Sequence, residues 1–145
     1  MLSIQFPPPT FRIRQRERDG ADEIFDNNRK RWLLLTPEEW VRQNFVAYLV
    51  KEKKIPASLI GLEKELKVGE LRKRFDIVVF KNDGQPWLLV ECKAMDVQLS
   101  ERTITQTLSY LSGMACNYAV ITNGQFTYGW NVTDGFSQLA VFPDY

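Results

Sequence analysis

The stretch FDIVVFKNDGQPWLLVECKA, Phe75 to Ala94, constrains the fold more than any other. Two apolar runs flank Asp83-Gly84, a dipeptide that favours the tight turn of a β-hairpin. With those two residues as the turn, Val78 faces Leu89, Phe80 faces Trp87 and Asp76 faces Glu91. Side chains alternate along a strand, so Lys93 projects from the same face as Glu91. Ile77, Val79, Leu88, Val90 and Cys92 make the opposite face apolar as well. A hairpin apolar on both faces belongs to a sheet that is covered on both sides.

The rest of the chain supplies the cover. Thr36-Pro37-Glu38-Glu39 opens a helix: an N-cap threonine, proline at the first helical position and glutamate at the third. Trp40, Val41, Phe45, Tyr48 and Leu49 give that helix an apolar stripe through roughly Lys51. A short helical turn is expected near Ala57–Ile60, then a strand in LEKELKV, a turn at Gly69 and a strand in ELRKRFDIVVF. Ser100 caps a second helix over Ser100–Ala115, where Ile104, Leu108, Leu111 and Ala115 share a face. Strands follow at NYAVIT, QFTYGWNV and SQLAVF, separated by Asn123-Gly124 and Asp134-Gly135 turns. The strand–helix–strand crossover favours a parallel, right-handed connection. The expected fold is α/β, a mixed central sheet flanked by helices, with a single domain over residues 1–145. Residues 1–35 form an N-terminal extension with a basic strand, and 36–145 form the core.

In that extension Arg12, Arg14, Arg16 and Arg18 recur every second residue, which puts all four on one face of a strand. Such a stripe is either a solvated edge strand protected by charge or a set of phosphate contacts. The segment DEIFDNNRKRW reads as polar, ending in the basic run Arg29-Lys30-Arg31.

Composition narrows the chemistry. At 145 residues, 44% apolar and 26% charged, the chain can bury a real core, and its net charge of +1 gives no global polyanion signal. The chain has no histidine, which removes histidine-ligand zinc sites and Ser-His-Asp or Cys-His catalysis. Its two cysteines argue weakly for a disulfide framework, so a reducing, cytoplasmic setting is the default. The N-terminus has no signal-peptide pattern, and no stretch nears the ~18 apolar residues of a membrane span.

Two facing carboxylates repel by roughly 0.2–1 kcal/mol. A divalent cation would relieve that repulsion, since Mg²⁺ takes oxygen ligands and often binds through one or two carboxylates. A lysine alongside could orient or deprotonate a water and stabilise charge on a phosphoryl group. The competing reading is that Asp76 and Glu91 end their strands in solvent and Lys93 pairs with one of them.

The acid, the turn and Glu91-Cys92-Lys93 on the next strand resemble the active-site core of PD-(D/E)XK nucleases. More narrowly, much of the chain resembles the N-terminal nuclease domain of type I restriction enzyme motor subunits, in a free-standing form. The segments are LTPEEWVRQ, RFDIVVF, LLVECKA, the Gln106 and Tyr110 pair, and YAVITNG. The resemblance implies that Asp76 and Glu91 ligate Mg²⁺, with Mn²⁺ an alternative, that the main-chain carbonyl of Cys92 adds an oxygen, and that Lys93 is the catalytic lysine. Gln106 and Tyr110 would flank the site and contact DNA or position catalytic groups; the alternative is an exposed polar helix face. Glu39 would complete the metal site, but it also sits where a capping-box glutamate reaches back to Thr36, and Glu38 competes for the role. Arg42 and Gln43 continue that helix toward the site as polar supports or nucleic-acid contacts.

The sequence departs from the pattern in having Phe75, not proline, before the acid. No P-loop can be drawn from its eight glycines. The implied activity is a metal-dependent DNA endonuclease of restriction, defence or repair type. Sequence reading would come from a homodimer or from a separate specificity or motor protein. The alternative is a nuclease-fold module that binds nucleic acid or a partner with little turnover.

Overall fold

The computed structural model describes residues 1–111 and 113–145. A small antiparallel sheet comes first: β1 (Ile13–Gln15), β2 (Asp22–Asp26) and β3 (Arg31–Leu34), in that order. Helix α1 (Pro37–Lys51) follows, then a 3-10 turn at Ala57–Leu59. The main sheet holds β4 (Ile60–Val68), β5 (Leu71–Phe80), β6 (Pro86–Cys92), β7 (Tyr118–Thr122), β8 (Thr127–Asn131) and β9 (Ser137–Gln138), with α2 (Glu101–Leu111) between β6 and β7. Spatial order equals chain order, and only the β6–β7 pair, joined through α2, is parallel. The fold is a mixed six-stranded sheet flanked by two helices.

The two faces build two cores. Val41, Phe45, Tyr48 and Leu49 of α1 pack on Ile60, Leu62, Ile77, Val79, Leu88, Val90 and Val120. On the other face, Leu108 and Leu111 of α2 meet Phe75, Val78, Leu89 and Ala119. Both faces of β5 and β6 are therefore covered, as the double apolar pattern requires. No helix among the described residues is long and apolar enough to cross a membrane.

Several elements differ from the sequence expectation. Ile77, Val78 and Val79 face Val90, Leu89 and Leu88 as expected, but Phe80 faces Pro86, not Trp87. The turn is one residue longer than two: Lys81 and Gln85 close it, with Gly84 at φ +86. Trp87 then enters as an extra residue on β6, and this bulge restores the register that the longer turn had shifted. The strand expected in SQLAVF is only Ser137–Gln138. Helix α2 ends at Leu111, short of Ala115, with Gly113 at φ +92 beyond it; position 112 of the expected helix lies outside the described residues.

The polar reading of DEIFDNNRKRW missed β2, the turn after it and the start of β3. Ile24 is fully buried, and Asp26 accepts the N–H groups of Asn28 and Arg29 to make the turn. The arginine stripe is also shorter than a four-residue row. Strand β1 stops at Gln15, and the chain turns so that Arg16 pairs with Asp19. Only Arg12 and Arg14 share a face, lying over the rings of Phe25 and Trp32, where Arg14 also pairs with Glu23.

Candidate active site

The site starts from a break in strand alternation. Phe75 packs on the α2 side, yet Ile77, two residues on, packs on the α1 side. The β4–β5 ladder has the pairs Leu62–Ile77 and Lys64–Phe75 with none between, and Glu63 takes φ +52. Asp76 sits at this break. It was expected to share the face of Val78 and Phe80; instead its Oδ1 lies 3.7 Å from Arg42 Nη2 on α1. The twist at Glu63 and Asp76 turns the carboxylate away from the α2-side core.

Asp76 and Glu91 nonetheless converge across the hairpin. The N–H of Cys92 donates to Asp76 Oδ2 at 2.8 Å, and the N–H of Asp76 donates to Glu91 Oε1 at 3.3 Å. Each acid is thus anchored by a main-chain group belonging to, or next to, the other. Burial and the neighbouring Asp76 charge push the Glu91 carboxyl up to about 7, against the opposing pull of the Asp76 N–H and Lys93. Lys93 follows directly on β6, its N–H donating to the Thr122 carbonyl at 2.8 Å. The Cys92 thiol is buried and pushed up by burial, which disfavours the thiolate and leaves the main-chain carbonyl as this residue's donor.

Beneath this pair lies a charge network that the sequence did not announce. The Arg42 guanidinium is buried among Glu63 (3.1 Å) and Glu38, Glu39 and Asp76 (each 3.7 Å). Arg29, from the β2–β3 turn, pairs with Asp26, with Glu63 at 2.6 Å and with Glu39 at 3.5 Å. Glu63 bridges both arginines, which accounts for its unusual backbone: the αL twist aims its carboxylate between them. The only sequence signal was the basic run at Arg29, placed beside a strand not expected to exist.

This network settles where Glu39 points. The Thr36 hydroxyl accepts the Glu39 N–H at 3.0 Å, so the helix is capped, but the Glu39 side chain does not reach back. It accepts from Gln43 Nε2 at 3.1 Å and faces Arg42 and Arg29. Burial raises its pKa, against the pull of Arg42, Gln43 and Arg29. Arg42 pairs with both Glu39 and Asp76. Among the described residues no three His, Cys, Asp or Glu side chains form a group able to hold a metal.

The remaining expected residues are dispersed. Arg42 and Gln43 are both buried, which leaves neither a surface for nucleic acid. Gln106 is exposed on α2, and Tyr110 is half-exposed with the Lys73 ammonium 3.1 Å from its ring centre. Lys73 lies three residues before Asp76, so Tyr110 is tied to the strand that carries the acid. Arg12, Arg14, Arg16 and Arg18 belong to the small sheet and its turn.

Residues 37–144 match the family model described as type I restriction enzyme R protein N terminus. No curated protein matches the chain. Among solved structures, the type IIG restriction endonuclease BpuSI aligns over 63% of this chain at 18% identity with a TM-score of 0.46; the chain spans 11% of that enzyme's length. A putative nuclease belonging to DUF820 from Anabaena variabilis aligns over 81% of this chain and 74% of its own, at 13% identity and a TM-score of 0.47.

Proposed function

Because the chain belongs to the family described as type I restriction enzyme R protein N terminus, we propose that it is a divalent-metal-dependent DNA endonuclease of the PD-(D/E)XK kind, serving restriction, defence or repair. One observation carries the reading. Two carboxylates on neighbouring strands are cross-anchored by main-chain N–H groups, and burial and the other's charge push one of them up to about 7. Acids kept together at that cost suit a hard cation.

The donor set fits Mg²⁺ or Mn²⁺. Glu91 has Oε1 anchored and Oε2 left for a ligand, Asp76 has Oδ2 anchored and would offer Oδ1 from beside Arg42, and the Cys92 carbonyl would add a third oxygen. Water and substrate phosphate would complete the shell, as Mg²⁺ commonly allows. When bound, the cation supplies positive charge to the phosphate oxygens and acidifies a water. Lys93 Nζ is assigned to orient that water by hydrogen bonding and to stabilise charge on the transferring phosphoryl group. Asp76 and Glu91 fix the geometry, and Arg42 holds Asp76 from the side of α1.

Cleavage of supercoiled plasmid in Mg²⁺ or Mn²⁺ tests this. Lys93→Ala and Asp76→Asn are expected to lose roughly 100-fold or more in rate, with Lys93→Ala melting as the parent does. Equal nicking by parent and variants would remove the enzyme reading.

A second reading has its own support. Arg42 already places a cation against Asp76, and no third acid joins the pair among the described residues. A nuclease fold that binds nucleic acid or assembles with a partner, turning over little, would look the same. Salt-sensitive DNA affinity without metal-dependent products favours it. Under either reading, sequence selection falls to a homodimer or to a separate specificity or motor subunit.

A further inference from the structure

Strands β4 and β5 run past the main sheet. Strand β6 pairs with β5 only from Ile77 onward, whereas β4 and β5 stay paired out to Val68–Leu71, closed by a turn with Gly69 at φ +63. The result is a two-stranded arm that begins at Asp76 and leads away from it. Leu66, Val68 and Phe75 seat one face of the arm on α2, and Lys73 lies over Tyr110. The opposite face carries Glu65, Lys67, Arg72 and Arg74, all exposed. By alternation this is the side toward which Asp76 turns.

The register of that face is unfavourable for stability. Glu65 is opposite Arg74, but Lys67 is directly opposite Arg72, two cations in the closest cross-strand position. None of Lys67, Arg72 and Arg74 makes an ion pair within the described chain. Repelling, unpaired cations on a strand face next to candidate catalytic acids raise the question that the acids themselves raise, with the sign reversed. An anion would relieve them.

We infer that Lys67, Arg72 and Arg74 form a track for the sugar–phosphate backbone of a DNA strand, holding the phosphates that flank the one presented to Asp76 and Glu91. Arg72 and Arg74 stand about 6.7 Å apart, two strand rises, with Lys67 beside Arg72 on the neighbouring strand, so the cations spread over more than one phosphate. The inference rests on the nuclease reading for the identity of its ligand. It depends on charge and position alone, and so predicts sequence-independent, salt-dependent binding.

The test is fluorescence anisotropy of a labelled 20-base-pair duplex with the full chain in EDTA, over a series of salt concentrations. Lys67→Ala/Arg72→Ala/Arg74→Ala is expected to weaken binding 10-fold or more and to flatten the log–log salt slope by about 0.9 for each phosphate no longer neutralised. Arg12→Ala/Arg14→Ala/Arg18→Ala removes equal charge from the small sheet and is expected to change the slope less. A single Lys67→Glu gives a readout that no structural role mimics. It should raise the melting temperature by about 1–4 °C, by ending the repulsion with Arg72, while weakening DNA binding. The inference is overturned by an unchanged slope in the arm variant, by an equal loss in the small-sheet variant, or by no salt-dependent binding from the parent. Arm-dependent binding without any metal-dependent cleavage would sink the catalytic reading and leave the track standing.

Discussion

Glu91 and Asp26 show the two ways a buried carboxylate can be treated. The folded pKa of Glu91, about 7, lies above its ordinary value of 4.5, so ionising it opposes folding. That penalty grows as pH rises from 4.5 to 7 and is complete above 7. Glu91→Gln should therefore stabilise the protein in EDTA at pH 8, by about 1–3 kcal/mol, in chemical denaturation. The same substitution should abolish any rise in midpoint on adding Mg²⁺, and a variant still stabilised by Mg²⁺ would place the cation elsewhere. Asp26 is the reverse case. Burial alone would raise its carboxyl, but the Arg29 N–H, the Arg29 guanidinium and the Asn28 N–H hold it below 3.8. Its contribution is full above that value and is lost as pH falls through the depressed one. Asp26→Asn should cost about 2–4 kcal/mol at pH 7. The gap from the parent should close on acidification below about pH 4, measured by urea unfolding across pH.

The hairpin shows how two irregularities cancel. Its turn is longer than the Asp83-Gly84 dipeptide suggests, and the Trp87 bulge takes up the difference. Asp76 and Glu91 therefore end up as neighbours, as the shorter turn with no bulge would also have placed them. The bulge itself was not legible, because turn length and bulge position are coupled and only their sum affects the inward pattern. Gly84 has open space around its missing Cβ, so Gly84→Ala should cost only the strain of φ +86, about 1 kcal/mol or a little more. Thermal melting checks this, and a much larger loss would mean the turn also fixes the register. Helix α1 was readable to the residue at its start, since Thr36-Pro37 is a local signal. The direction of the Glu39 side chain was not, because Arg29 lies on a distant turn.

Across the whole molecule, residues before α1 are built into the core. Leu2 is buried against β8, its N–H donating to Thr127; Phe6 packs edge-on to Phe45 and Tyr48; and Phe11 packs on Trp40. Arg29 joins this region to Glu39 and Glu63. Removing residues 1–35 would strip away that apolar packing and leave Arg42 alone among carboxylates that Arg29 now helps to neutralise. The truncated chain should melt at least ~10 °C lower or aggregate, by calorimetry and light scattering. A truncated chain that melts like the parent would show the segment to be an accessory.

The sequence by itself determined what short-range physics encodes. The double apolar pattern of β5 and β6 demanded cover on two faces, the crossover through α2 demanded a parallel pair, and the Thr36 cap placed α1. It also brought Asp76 beside Glu91, because hairpin register is a property of a single short segment. Only the tertiary structure decided which way Asp76 turns, that Arg42 is enclosed by carboxylates and that Glu63 twists to bridge two arginines. Those outcomes depend on charges far apart in the chain meeting in a desolvated space, where an unpaired charge costs several kcal/mol and partners are chosen by proximity alone.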